Sequence, residues 1–92
     1  MIILSQSSKN YENKDLREIP LSDLPLNVKA KVSHIFAGIR ATQRLSGMGI
    51  TPGTVIEKIS AAPFRGPVQI SLRGTRLAIG RGLAAKILIQ IL

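Results

Sequence analysis

Apolar and polar positions along the chain change period several times, and each change marks an element. From Ala30 to Phe36 (AKVSHIF), Lys31 and Ser33 alternate imperfectly with Val32 and Ile35, which predicts a first strand. After Gly38, the residues Ile39, Thr42, Leu45 and Met48 recur in steps of three, the spacing of one helical face, and predict a short helix over about Ala41 to Gly47. Gly49 stands where that helix needs a left-handed residue to end, and Ile50 can fold back onto its apolar side. Thr51-Pro52-Gly53-Thr54 then has Pro second and Gly third, the chemistry of a type II turn, and reverses the chain. Thr54 to Ser60 (TVIEKIS) is rich in β-branched residues and predicts a central strand with one bulge or exposed edge around Glu57 and Lys58.

Ala62 to Pro67 is a loop by its Pro and Gly content. Beyond it, Val68 to Leu72 (VQISL) alternates cleanly, with Gln69 and Ser71 outward, and Arg73-Gly74-Thr75 turns it into a hairpin with Arg76 to Ile79. Leu83 to Lys86 predicts one helical turn, and Ile87 to Leu92 a last strand, apolar enough to pair with another copy if it lies at a sheet edge. Nearer the start, Ile19-Pro20-Leu21 opens the fold. Ser22 and Asp23 are placed to cap a single turn containing Leu24, which Pro25 stops, as a lid on one end. Residues 1–18, which include the polar run SQSSKNYENK, are expected to be a disordered tail, leaving one domain over residues 19–92. About five short strands with regular turn signals and one inserted helix predict an all-β fold, a small barrel.

Ninety-two residues suffice for one core and no more, and 45% hydrophobic residues are too many for a chain that stays unfolded. With no Cys, neither disulfides nor thiolate metal sites can reinforce it. No apolar stretch approaches the length of a membrane-spanning helix. Met1-Ile2-Ile3-Leu4 turns polar at Ser5 without the parts of a secretion signal, so a cytoplasmic protein is expected. The net charge of +8 is unevenly placed. Lys9, Lys14 and Arg17 are balanced by Glu12, Asp15, Glu18 and Asp23 in the first 25 residues, whereas the basic residues that follow face only Glu57. Such a domain suits an acidic partner, whether nucleic acid, an anionic membrane surface or an acidic protein face, and it equally suits a merely solubilising surface.

Catalytic chemistry has little to work with. His34 is the only His, and of the five carboxylates four lie within the first 25 residues while Glu57 adjoins Lys58. A metal site, a carboxylate pair or a base-activated nucleophile therefore has no evident set of donors, and no enzyme, metal or cofactor is expected. Gly80-Arg81-Gly82 and Gly47-Met48-Gly49 lack the remainder of a phosphate-binding loop and are read as turn glycines. Binding of RNA or single-stranded DNA by a basic barrel is the competing function, but base stacking needs aromatic platforms, and only Tyr11, Phe36 and Phe64 are available. The same shortage argues against recognition of proline-rich peptides.

Arg44-Leu45-Ser46-Gly47-Met48-Gly49-Ile50-Thr51-Pro52-Gly53 resembles the arginine-leucine, glycine-isoleucine, proline-glycine signature of the FeoA family of ferrous iron transport proteins. In order with it, Ile19-Pro20-Leu21-Ser22-Asp23-Leu24 is similar to that family's opening, Ala62-Pro63 through Gly66-Pro67-Val68 to its central loop, and Leu77-Ala78-Ile79-Gly80-Arg81 with Ala85-Lys86-Ile87 to its ending. The likeness spans about residues 19–91. It departs where a glycine often follows the opening leucines and this chain has Leu26-Asn27-Val28. The resemblance implies an SH3-like barrel with an inserted helix that assists the membrane transporter FeoB by touching its cytosolic GTP-binding region. A related barrel serves as a C-terminal module of iron-dependent transcriptional regulators, but with no helix-turn-helix ahead of it a free-standing module is expected. The implied contact surface is Arg40, Gln43 and Arg44, which should face away from Leu45 and Met48. Arg73 and Arg76, flanking the hairpin turn, form a second candidate patch whose alternative is a solvated tip.

Overall fold

The computed structural model describes residues 17–61 and 66–92. The expected tail lies outside the described residues as far as position 16, and so do residues 62–65 of the predicted loop. Strand β1 (Glu18–Pro20) leads into a 3-10 turn (Leu21–Asp23), then β2 (Lys29–Ile35), helix α1 (Ile39–Gly47), β3 (Val55–Ala61), β4 (Val68–Leu72), β5 (Thr75–Ile79), a one-turn helix α2 (Arg81–Ala84) and β6 (Ile87–Ile91). The strands form a single antiparallel sheet in the order β1-β6-β2-β3-β4-β5. Its inward residues, among them Val32, Ile56, Ile70, Ile79 and Ile89, all join one buried cluster, so the sheet is curled around a core instead of lying flat. Each fully buried aliphatic side chain stabilises that core by about 1.5–3 kcal/mol.

The curl has visible causes. Register shifts between Val32 and His34 against β6, and between Lys58 and Ser60 against β4, each leave an extra residue on one strand. Such bulges bend and twist a strand, and the second is the one expected around Glu57 and Lys58. In the first, the Ser33 hydroxyl donates to the Leu88 carbonyl across 3.1 Å.

Among the described residues six strands agree with the expected barrel of about five, the addition being β1: it pairs with β6 through Ile19 opposite Ile89, and its three residues with a Pro are too few to show a period. A Pro fits there because β1 is an edge strand, which need not donate outward. Several expectations are corrected. The turn after β1 starts at Leu21, with Pro20 as its N-cap and no side-chain cap from Ser22 or Asp23. Its lid role holds nonetheless, since Leu21 and Leu24 are buried and the turn packs against α2 and β6. α2 begins at Arg81, two residues before the predicted turn, because Gly80 provides the N-cap and its carbonyl accepts from the Ala84 N–H at 2.9 Å. β6 lies between β1 and β2, so it offers no edge to a second copy; the edges of the sheet are β1 and β5. At the departure noted in Leu26-Asn27-Val28, Asn27 itself adopts φ 63°, the left-handed conformation that Asn tolerates best after Gly.

Candidate functional site

α1 is held against the barrel by one deeply placed residue and a tightly closed end. Leu45 is fully buried. The Ile50 N–H donates to the Leu45 carbonyl and the Gly49 N–H to the Ser46 carbonyl, both at 2.9 Å, with Gly49 at φ 92°. These two bonds form a Schellman ending, and Ile50, also fully buried, supplies its apolar contact. The reversal continues through Gly53 at φ 97° and the Thr54 N–H to Thr51 carbonyl bond of 3.0 Å, the type II turn the sequence predicts. The Thr54 hydroxyl donates back to the Gly49 carbonyl at 3.1 Å and ties the two turns together.

Arg40, Gln43 and Arg44 are all exposed on α1, about 140°, 160° and 100° around the helix from Leu45. Ile39 is not where the steps of three place it. A residue advances about 100° around a helix, so three steps of three slip by about 180° in total, and Ile39 ends up about 120° from Leu45. It is 75% exposed. Just before it, at the end of β2, Phe36 is 64% exposed, a feature with no counterpart in the sequence pattern. Both stand on fixed backbone. The Phe36 N–H donates to the Lys86 carbonyl at 2.8 Å, the Thr42 N–H to the Gly38 carbonyl at 2.9 Å, and the Thr42 hydroxyl to the Ala37 carbonyl at 3.2 Å. The Phe36 ring stacks on that of His34 with centroids 5.8 Å apart and planes 13° from parallel. His34 in turn places Nδ1 3.1 Å from Glu18 Oε2 on β1, so the lone imidazole joins β2 to the edge strand. α1 has no acidic residue of its own in its first turn and no side-chain cap at Gly38.

The second predicted patch lies elsewhere, on the β4–β5 hairpin. Arg73 (φ 51°) and Gly74 (φ 86°) form a two-residue turn of type I′ shape, and Arg76 faces Ser71 across the ladder. Both arginines are exposed. Arg73 borders a shallow cleft of about 340 Å³ with Lys29, Glu57 and Ser71, so its surroundings are of mixed charge.

Lys58 has a role that the sequence pattern does not show. It points inward, in register with the buried Ile70, and is 7% exposed. Its Nζ donates to the Ser22 carbonyl at 3.0 Å and pins the lid turn to β3. Burial, then the nearby Arg81 charge, pulls its pKa below the ordinary 10.5, against a smaller pull upward from Asp23. Beside it, Arg81 Nε is buried without a hydrogen-bond partner among the described residues. No group of three or more His, Asp or Glu side chains among the described residues is arranged to hold a metal ion. No helix among them is long and apolar enough to cross a membrane. What the geometry presents on and beside α1 is an exposed basic face with two exposed apolar side chains next to it.

Comparison with known proteins gives a consistent picture. The family model of the FeoA domain matches residues 19–91. A curated relative from Methanocaldococcus jannaschii, named "Putative Fe(2+) transport protein A", is 48% identical over 59 residues, which are 64% of this chain and 70% of that protein. The crystal structure of an iron uptake regulatory protein (FeoA) superposes with a TM-score of 0.76 at 39% identity and covers 83% of this chain and 100% of that one. The solution structure of the FeoA protein of Chlorobium tepidum has the same TM-score at 27% identity, over 80% of this chain and 70% of that chain. A manganese-dependent transcriptional repressor in complex with manganese shares the fold alone, with a TM-score of 0.76 at 17% identity over 82% of this chain and 37% of its own.

Proposed function

This chain belongs to the FeoA domain family, whose fold is a small SH3-like barrel and which is associated with ferrous iron transport, and on that premise we propose that it is a non-enzymatic accessory of ferrous iron uptake that acts by protein contact. The partner in this reading is the transporter FeoB, touched at its cytosolic GTP-binding region, and the protein works in the cytoplasm, recruited to the membrane by that partner. The observation that carries the reading is the exposed face of α1, where Arg40, Gln43 and Arg44 project from a helix whose other side is locked by Leu45 and Ile50. A surface that must meet a macromolecule gains from such rigidity, because less conformational entropy is lost on binding.

The test is a titration against the purified GTP-binding domain of FeoB, with single-stranded RNA in parallel, at low and physiological salt. Saturable binding to the protein that survives physiological salt is the expected result, and R40E with R44E should abolish it while the far-UV spectrum and melting temperature stay unchanged. Binding unaffected by those substitutions would remove α1 from the interface. Salt-sensitive RNA binding without any response to the protein domain would favour the nucleic-acid alternative, for which the exposed Phe36 ring supplies one stacking surface.

A further inference from the structure

Phe36 and Ile39 are large apolar side chains, 64% and 75% exposed, on either side of the short Ala37–Gly38 connection. Neither caps the core: the cluster beneath is closed by Leu45, Ile50, Ile87 and their neighbours. Isolated exposed apolar residues are ordinary, but here two occur together on backbone fixed by the Lys86, Gly38 and Ala37 carbonyls, with the Phe36 ring braced on His34. Resting on the reading just given, we propose that Phe36 and Ile39 are the anchor of the protein-binding surface. They enter an apolar pocket on the GTP-binding region of the partner, whose rim carries carboxylates that meet Arg40 and Arg44.

The charge pattern selects this occupant. Along 36–47 the only charges are Arg40 and Arg44. Of the carboxylates among the described residues, Glu18 is engaged by His34, Asp23 lies in the lid turn and Glu57 borders the cleft with Lys29. A second copy of this basic chain would set like charges face to face, which costs binding. Arg40 and Arg44 lie about 100° and 140° around the helix from Ile39, and the exposed Lys86 is bonded through its carbonyl to Phe36, so the cations bordering the apolar pair suit a partner whose rim is acidic. Phe and Arg are also the residue types enriched where proteins bind tightly.

The experiment measures affinity of F36S, I39S and R40E for the purified GTP-binding domain of FeoB, alongside vesicles containing anionic phosphatidylglycerol. Both apolar sites are exposed, so F36S and I39S should melt within a few degrees of wild type, checked by circular dichroism. F36S and I39S are each expected to weaken binding about thirtyfold or more at every salt concentration, since desolvated anchors carry most of an interface. R40E should weaken it more at low salt than at high. If wild type binds the domain and F36S and I39S bind equally well, the anchor is wrong while the accessory function stands. If wild type binds vesicles and not the domain, with binding lost in F36S and I39S, the surface is a lipid anchor and the protein pocket is refuted. Absence of binding to the domain by any form overturns the proposal together with the function it rests on.

Discussion

Gly47 and Gly49 are two residues apart and should respond to the same substitution with opposite signs. Gly47 is the last residue of α1, has ordinary helical φ, and a Cβ added there would meet nothing within 4 Å. Alanine lowers the entropy of the unfolded chain without strain, so G47A is expected to stabilise by about 0.5–1 kcal/mol. Gly49 has φ 92°, and its added Cβ would sit 3.1 Å from Leu72 Cδ2, a side chain that is itself buried. The left-handed backbone alone costs an L-residue about 1–2 kcal/mol. Displacing the Leu72 methyl group adds to this, and the unfolded-state gain of about 0.4–1 kcal/mol offsets part of it, so G49A should destabilise by about 1–2 kcal/mol net. Urea unfolding, treated as two-state for a domain of this size, gives both values from the midpoints if the slopes agree. The thermal midpoint of G49A should fall by about 4 °C or more. If G49A is as stable as wild type, or if both variants shift the same way, the Schellman ending does not hold α1 as described.

Three further outcomes follow from named contacts. T54V removes the hydroxyl that bonds the Gly49 carbonyl and should cost about 0.5–1.5 kcal/mol by urea unfolding; no loss would mean the two turns are not coupled through it. R73N should stabilise by up to about 1 kcal/mol, because Asn-Gly suits the two positive φ angles of the hairpin turn better than Arg-Gly, and a destabilised R73N would show that the Arg73 side chain makes contacts that outweigh its backbone strain. For Lys58 the folded pKa lies below the unfolded 10.5, so in the window between the two the unfolded chain binds more protons and stability rises with pH; below the window the penalty of the buried charge is constant. The stability difference between wild type and K58M should therefore move in favour of wild type as pH is raised toward 10.5, and a difference independent of pH would refute the lowered pKa.

Elements built from neighbouring residues were legible before the structure. The Gly49 and Gly53 turns and the Arg73-Gly74 hairpin depend on backbone angles that particular residues favour, and β4 matches its predicted bounds of Val68 to Leu72 because its alternation is unbroken. What the sequence hid depends on partners far along the chain. β1 is a strand only because β6 lies beside it, and the inward turn of Lys58 is visible only from its register with Ile70. The candidate surface divides in the same way. Arg40, Gln43 and Arg44 are exposed because charged and amide side chains seldom leave water, whereas exposure of Phe36 and Ile39 depends on where the helix meets the barrel. Steps of three mimic a helical face over one turn and drift off it over three, which is why Ile39 misled.

The position of β6 between β1 and β2 has a consequence for synthesis. Ser33 and its hydrogen-bond partner Leu88 are 55 residues apart in sequence, and on the ribosome everything from β1 to α2 is made before β6 exists. Until Ile87–Ile91 leaves the exit tunnel, the outer edge of β2 stays open and β1 has no neighbour at all. Closure must wait for that last pairing, a non-local step of the kind that makes small β-rich domains fold slowly. During the wait, the outer edge of β2 is open to stray pairing with other nascent chains, so the barrel is most vulnerable to aggregation just before β6 arrives.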